Sequence, residues 1–215
     1  MAAAKRATAA LVLAAAFALG IAPAAARRPL NDPDRNTLEA VRALHDFGQC
    51  AVRDHWGRVQ LPQILAMDYR SDAARDALRG FVRERSQCVA PEHALSSNLL
   101  LFAGALAEAM LPRDRPLAEL VAYDPARPAL QARDEIEVMS LCAVRAGPAE
   151  AVALFATVPG SNGERAALRA IAPRLGQCLR SGQDVRVNGL EVRALLALAA
   201  WRLGVLNGLV GGVGD

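Results

Sequence analysis

The tetrapeptide Cys-Ala-Val-Arg occurs twice, at 50–53 and 142–145, in a chain with only four cysteines. The other two cysteines each follow a glutamine, in Gln87-Cys88 and Gln177-Cys178. Between these markers the agreement continues. Arg75-Asp76-Ala77-Leu78-Arg79 faces Arg165-Ala166-Ala167-Leu168-Arg169, Asn98 faces Asn188, and Leu106-Ala107 faces Leu196-Ala197. The offset is 92 residues at the first cysteine and 90 afterwards, so an indel of two residues between Trp56 and Ala74 accounts for the difference. The pattern reads as an internal duplication of about 75–90 residues, and tandem repeats of that size are usually helical units that bury surface against one another.

Hydrophobic spacing agrees with helices. In the first unit, Leu38, Val41, Leu44, Gly48, Val52 and His55 recur at three- and four-residue steps, predicting a helix over 36–55 that opens on Asn36 with Glu39 in a capping-box spacing. A short helix over 59–67 follows. A third, over 72–89, carries Leu78, Phe81 and Val82 on one side and Arg75, Arg79 and Arg83 on the other, and Pro91 stops it. The fourth, over 95–111, is apolar nearly all round, as the buried centre of a bundle is. The connection 112–130 holds a candidate short helix at 117–123. The second unit repeats the plan. Gly147-Pro148 ends its first helix and opens its second, and Ser161 with Glu164 marks a cap for the helix over 164–179. A last helix runs over 189–206. No stretch alternates as a strand would.

In an up-down arrangement, helices one and three of a unit run parallel, so cysteines near their ends meet at one end of the unit. This predicts Cys50–Cys88 and Cys142–Cys178. Each closes a loop of just under 40 residues, worth roughly 4 kcal/mol in the chain-entropy account. The alternative, Cys50–Cys142 with Cys88–Cys178, would join the units through their pseudosymmetry.

Three pieces, Cys50-Ala51-Val52-Arg53, Gln87-Cys88 and Gly104-Ala105-Leu106-Ala107-Glu108-Ala109, carry a resemblance. The chain resembles, over most of 45–205, a group of exported helical proteins from alphaproteobacteria with a duplicated cysteine-containing unit. The second copy departs from the last piece, where Leu198 replaces the glutamate. The resemblance implies the helical fold and carries no activity with it.

The amino terminus reads as an address. Lys5 and Arg6 precede an apolar run over 7–22, Pro23 breaks it, and Ala24-Ala25-Ala26 supplies a small-x-small cleavage site. The expected layout is a signal peptide at 1–26, a flexible segment at 27–35, unit one at 36–111, a connection at 112–130, unit two at 131–206 and a flexible tail at 207–215. No lipobox or twin-arginine motif accompanies it. Four cysteines in an exported chain suit two disulfides and a periplasmic or secreted location. Without Lys5 and Arg6 the formal charge falls from +3 to +1, and no basic tract remains for nucleic acid. Lys5 is the only lysine, which excludes a Walker loop or a Ser-x-x-Lys site from the mature chain.

Candidate chemistry is sparse. His45, Asp46, Cys50, Asp54 and His55 are the densest set of ligand-type residues, but they lack zinc spacings, and the second copy keeps only the cysteine. His93 reads as a polar residue of a connection. Gly160-Ser161-Asn162-Gly163 reads as a turn and cap. Glu108 and Arg193 interrupt apolar helices at nearby but non-equivalent repeat positions, and buried charges need partners, so they are candidates to pair across the units. The glycine-rich tail reads as frayed, with docking of Leu209, Val210 and Val213 on a partner as the alternative. The expectation is an all-α protein of two disulfide-stapled, pseudosymmetric four-helix units, compact or solenoid-like. It assigns no catalytic, metal or cofactor residues. The expected role is an exported, non-catalytic interaction or structural protein of the bacterial envelope, with a protein partner. A carrier for a small apolar ligand is the second reading. An enzyme gathering His45, His55 or Glu108 in one pocket is the third.

Overall fold

A computed structural model describes residues 38–89, 98–180, 185 and 187–211. Its described residues form α1 (Leu38–Ala51), α2 (His55–Ala66), α3 (Asp72–Glu84), α4 (Leu99–Met110), α5 (Leu117–Leu120), α6 (Glu135–Ala146), α7 (Pro148–Phe155), α8 (Asn162–Gln177) and α9 (Gly189–Leu206), with a 3-10 turn at Ser86–Cys88 and no strand. The fold is all-α. The expected start at Asn36 and the residue His93 lie outside the described residues.

Local chemistry sets the helix starts. Asp54, Ser71, Asn98, Asp134, Ser161 and Asn188 each stand at an N-cap and accept the backbone N–H three residues on with the side chain. Pro148 opens α7 at the position where its missing N–H costs nothing. Ser161 accepts from the Glu164 N–H as its spacing suggested, but the Glu164 carboxylate reaches the N–H of Gly160 instead of returning to Ser161. The reciprocal capping box is at Asn188 and Glu191.

Two helices end earlier than their periodicity suggests. The first stops at Ala51, because α2 starts close against it: a Cβ on Gly57 would lie 2.0 Å from the Ala51 carbonyl oxygen. Asp54 caps the new helix, and Arg58 Nε donates to the freed Val52 carbonyl at 2.6 Å. His55 therefore opens α2 instead of closing α1. The third stops at Glu84, where the chain tightens into the 3-10 turn and Arg85 folds inward over the Phe81 ring, 4.1 Å from its centroid. That turn delivers Cys88 to Cys50, with Cα atoms 5.6 Å apart. In the second half Cys178 caps α8 directly and is bonded to Cys142, with Cα atoms 5.7 Å apart.

The core forms around α4 and α9, which pack more extensively on each other than any other pair. Leu101–Ala107 of α4 and Val192–Trp201 of α9 are continuously buried, matching their all-round apolar sequences. The two helices touch where Gly104 meets Ala194: a Cβ on Gly104 would fall 2.3 Å from the Ala194 Cβ. Against α4 lies α1, and against α9 lies α6. On the first side Phe47 stands at the centre of an edge-on cluster with Phe81 and Phe102. Past α9 the chain does not fray at once. Asn207 Nδ2 donates to the carbonyls of Leu120 and Ala122, the N–H groups of Leu209 and Val210 turn back to Gly204, and Val210 is buried. Val213 lies outside the described residues. No single helix among those described is long and apolar enough to cross a membrane.

Candidate functional site

One polar cluster sits inside the apolar body. Arg193 enters it from α9 with its side chain 3 % exposed, and it uses every N–H it has. Nε donates to Glu108 Oε2 at 2.8 Å and Nη2 to Glu108 Oε1 at 2.6 Å, a two-pronged pair with α4. Nη1 donates to Glu164 Oε1 at 3.0 Å and to Thr157 Oγ1 at 3.1 Å. Nη2 also reaches the carbonyls of Phe155 and Thr157. The Thr157 hydroxyl donates onward to the Leu154 carbonyl, and the other Glu164 oxygen accepts from Gly160.

One face of α1 closes the cluster. Leu38, Arg42 and His45 lie at helical spacing along it. Leu38 packs on Gly160, whose positive φ of 74° suits a residue without a Cβ. Arg42 Nε donates to the Pro159 carbonyl at 3.0 Å. His45 brings Nδ1 to 3.7 Å from Glu108 Oε1. The turn between α7 and α8 is thereby tied to both α1 and α9.

Electrostatics follow from burial. Desolvation, helped by the Arg193 charge, holds the His45 pKa down to about 4, against weaker opposing pulls from Glu164 and Asp46, so the ring is neutral near pH 7. Burial pushes the Glu108 carboxyl above its ordinary value, although the Arg193 hydrogen bonds and charge pull the other way. Burial alone would lower Arg193, but its bonds and charge attraction to Glu108 and Glu164 outweigh that and raise it.

The sequence-derived candidates separate here. Glu108 and Arg193 pair, and His45 joins them. Asp46 is exposed. Asp54 caps α2 and lies 3.5 Å from Arg85. His55 is exposed, with its ring edge against Trp56. Cys50 is in a disulfide. Among the described residues, no three His, Cys, Asp or Glu side chains are grouped to hold a metal. Sequence reasoning missed Thr157 as a member and gave Glu164 only a capping role. An arginine in an otherwise apolar helix was a signal that two acceptors were needed, but nothing local named the second.

A separate groove runs along α3 and α4. It has a volume of about 1300 Å³; its apolar lining includes Leu78, Val82, Leu99 and Leu100, and Arg70, Arg75, Arg79 and Arg83 stand along it. Arg75 and Arg79 pair with Asp72 and Asp76 on the same helix, and Arg70 with Asp68 and Asp134. Arg83 donates to the Arg79 carbonyl and has no carboxylate partner among the described residues.

No family model, curated protein or solved structure matches the chain. Two disulfides point to an oxidising, extracytoplasmic compartment.

Proposed function

We propose that this chain is an exported, non-catalytic binding protein of the bacterial envelope, and that the groove along α3 and α4 is its binding face. The observation that carries this is the groove itself: apolar side chains from two helices lie beside Arg83, which has no carboxylate partner among the described residues, and three further arginines paired with aspartates, a surface suited to an amphipathic segment whose acidic group meets Arg83. The densest set of acid–base groups supports the non-catalytic half of the reading. In that cluster Arg193 spends all its donors on neighbouring protein groups, so it holds the fold together instead of holding a substrate.

The body is read as a duplication with approximate two-fold symmetry. Ser71 and Ser161 cap α3 and α8, and Asn98 and Asn188 cap α4 and α9, each pair 90 residues apart. Gly104 and Ala194 are also 90 apart, and they touch each other. Equivalent residues meet in this way where two symmetry-related helices cross on their axis. The pairing of α1 on α4 and α6 on α9 is consistent with it.

Two measurements test the proposal. N-terminal sequencing of protein recovered from the envelope should begin at Arg27; an intact Met1 in the cytoplasm would remove the exported role. A fluorescently labelled amphipathic peptide rich in Glu and Leu should bind the mature protein, and Arg79→Glu with Arg83→Glu should weaken it by about ten-fold or more. Equal binding by the double variant would remove the groove as the binding face.

A further inference from the structure

A second concavity opens where the two halves meet, lined by residues other than those of the groove. Its volume is about 470 Å³, inside the range of about 300–1,000 Å³ typical of small-molecule sites. Leu111, Leu117, Leu120, Val152 and Phe155 make its apolar wall, drawn from the end of α4, the connection, α5 and α7. Among its polar lining is Glu108, and through that residue the cleft meets the buried cluster.

The cluster is not electrically balanced. One guanidinium, Arg193, faces two carboxylates, Glu108 and Glu164. His45 is the remaining titratable side chain in contact, and it is neutral near pH 7. One negative charge is therefore left over in a site where Glu108 is only 10 % exposed, and buried charge without a partner is costly. Two arginines, Arg113 and Arg115, also line the cleft. Both are exposed, and Arg113 donates to Gln49 Oε1 at 2.6 Å. Each Glu108 oxygen accepts one N–H from Arg193, and a carboxylate oxygen can accept a second. Glu108 is itself one of the residues that line the cleft.

We propose that this cleft binds a primary ammonium group carried on an apolar body, with Glu108 accepting from the ammonium and Leu117, Leu120, Val152 and Phe155 enclosing the apolar part. The ligand's charge completes the cluster, and its chain covers the apolar wall. A carboxylate in the same place would add to the excess negative charge. An alcohol of the same length would gain the wall without the charge.

Hexylamine is the probe, with hexanoate and hexan-1-ol as its anionic and neutral counterparts, each titrated calorimetrically into the oxidised mature protein near pH 7. Hexylamine should saturate a single site, with hexanol and hexanoate weaker by about ten-fold or more. Glu108→Gln should weaken hexylamine by a similar factor. Because that change also removes a partner of Arg193, Val152→Arg is the second variant: Val152 is 48 % exposed and lines the cleft without touching the cluster. It should abolish binding and leave the melting temperature unchanged. Arg79→Glu with Arg83→Glu, in the groove, should leave hexylamine binding intact, which separates this site from the proposed binding face. Non-saturating heats from hexylamine, equal affinity for hexanol, or parental affinity in Val152→Arg would each overturn the proposal.

Discussion

Arg193 is the residue on which the interior turns. Its partners are 29 to 85 residues away in sequence and come from α4, the α7–α8 turn and α8. Breaking a buried pair by removing one member typically costs about 3–5 kcal/mol, because the other charge is left buried. Arg193→Met should lower stability to denaturant by that order. Adding Glu108→Met and Glu164→Gln to it should recover part of the loss; a triple variant no more stable than the single would show that packing, not charge, sets the cost. His45 makes a pH prediction of definite sign. Its folded pKa is depressed from 6.5 to about 4, so the folded state binds fewer protons than the unfolded chain across that interval. Its contribution is full above 6.5 and is lost as pH falls through 4, about 3 kcal/mol at one pKa unit per 1.36 kcal/mol. Glu108 acts in the opposite sense, since its raised pKa removes stability as pH rises above the usual 4.5. The difference between the parent and His45→Gln isolates the histidine. Parent stability should fall against the variant between pH 6.5 and 4, and parallel curves would refute the assignment.

At the scale of elements, the α4–α9 crossing is held close by the absence of a side chain at Gly104. Gly104→Ala should destabilise by about 1–3 kcal/mol or more through overpacking, since the new carbon would lie 2.3 and 2.4 Å from the Cβ and Cα of Ala194 and the α9 backbone would have to shift. Gly80 on α3 is the control. Nothing lies within 4 Å of a Cβ placed there, so Gly80→Ala should be neutral or stabilising by up to about 1 kcal/mol from helix propensity. Chemical denaturation of both variants checks the contrast, and similar losses at the two sites would show that the crossing is not tight. The starts at Asp72, Pro148 and Gly189 were legible because what sets them is local, but those of α2 and α4, read at 59 and 95, fall at His55 and Leu99. The ends of α1 and α3 were also missed. Ala51 and Glu84 stop their helices because α2 crosses one end and Arg85 turns inward at the other, and neither event has a signature in the helix that stops.

For the whole molecule, the halves share one interior. α4 and α9 bury each other, and the Arg193 cluster spans both halves, so unfolding should be a single cooperative transition by calorimetry. Two separable transitions would mean that the halves are independent. The disulfides act within halves, closing separations of 38 and 36 residues. Cys142→Ala with Cys178→Ala should therefore lower stability by about 2–4 kcal/mol while keeping the transition single.

What the sequence by itself determined is local and periodic. Apolar spacing, caps and the repeated cysteine segments specify helices, their order and the all-round apolar character of α4 and α9, because each is set by neighbours within a few turns. Glu108 and Arg193 were visible as charges without local partners. Only the tertiary structure decided that Glu164 and Thr157 complete their site, that His45 joins it while His55 stays outside, and that Val210 docks where a glycine-rich tail reads as frayed. The groove along α3 and α4 and the cleft against Glu108 belong to the same class. The physical reason is one of range. Caps and periodicity are short-range terms written in adjacent residues, whereas desolvation, charge pairing and cavities depend on which distant surfaces the packed helices bring within a few ångströms.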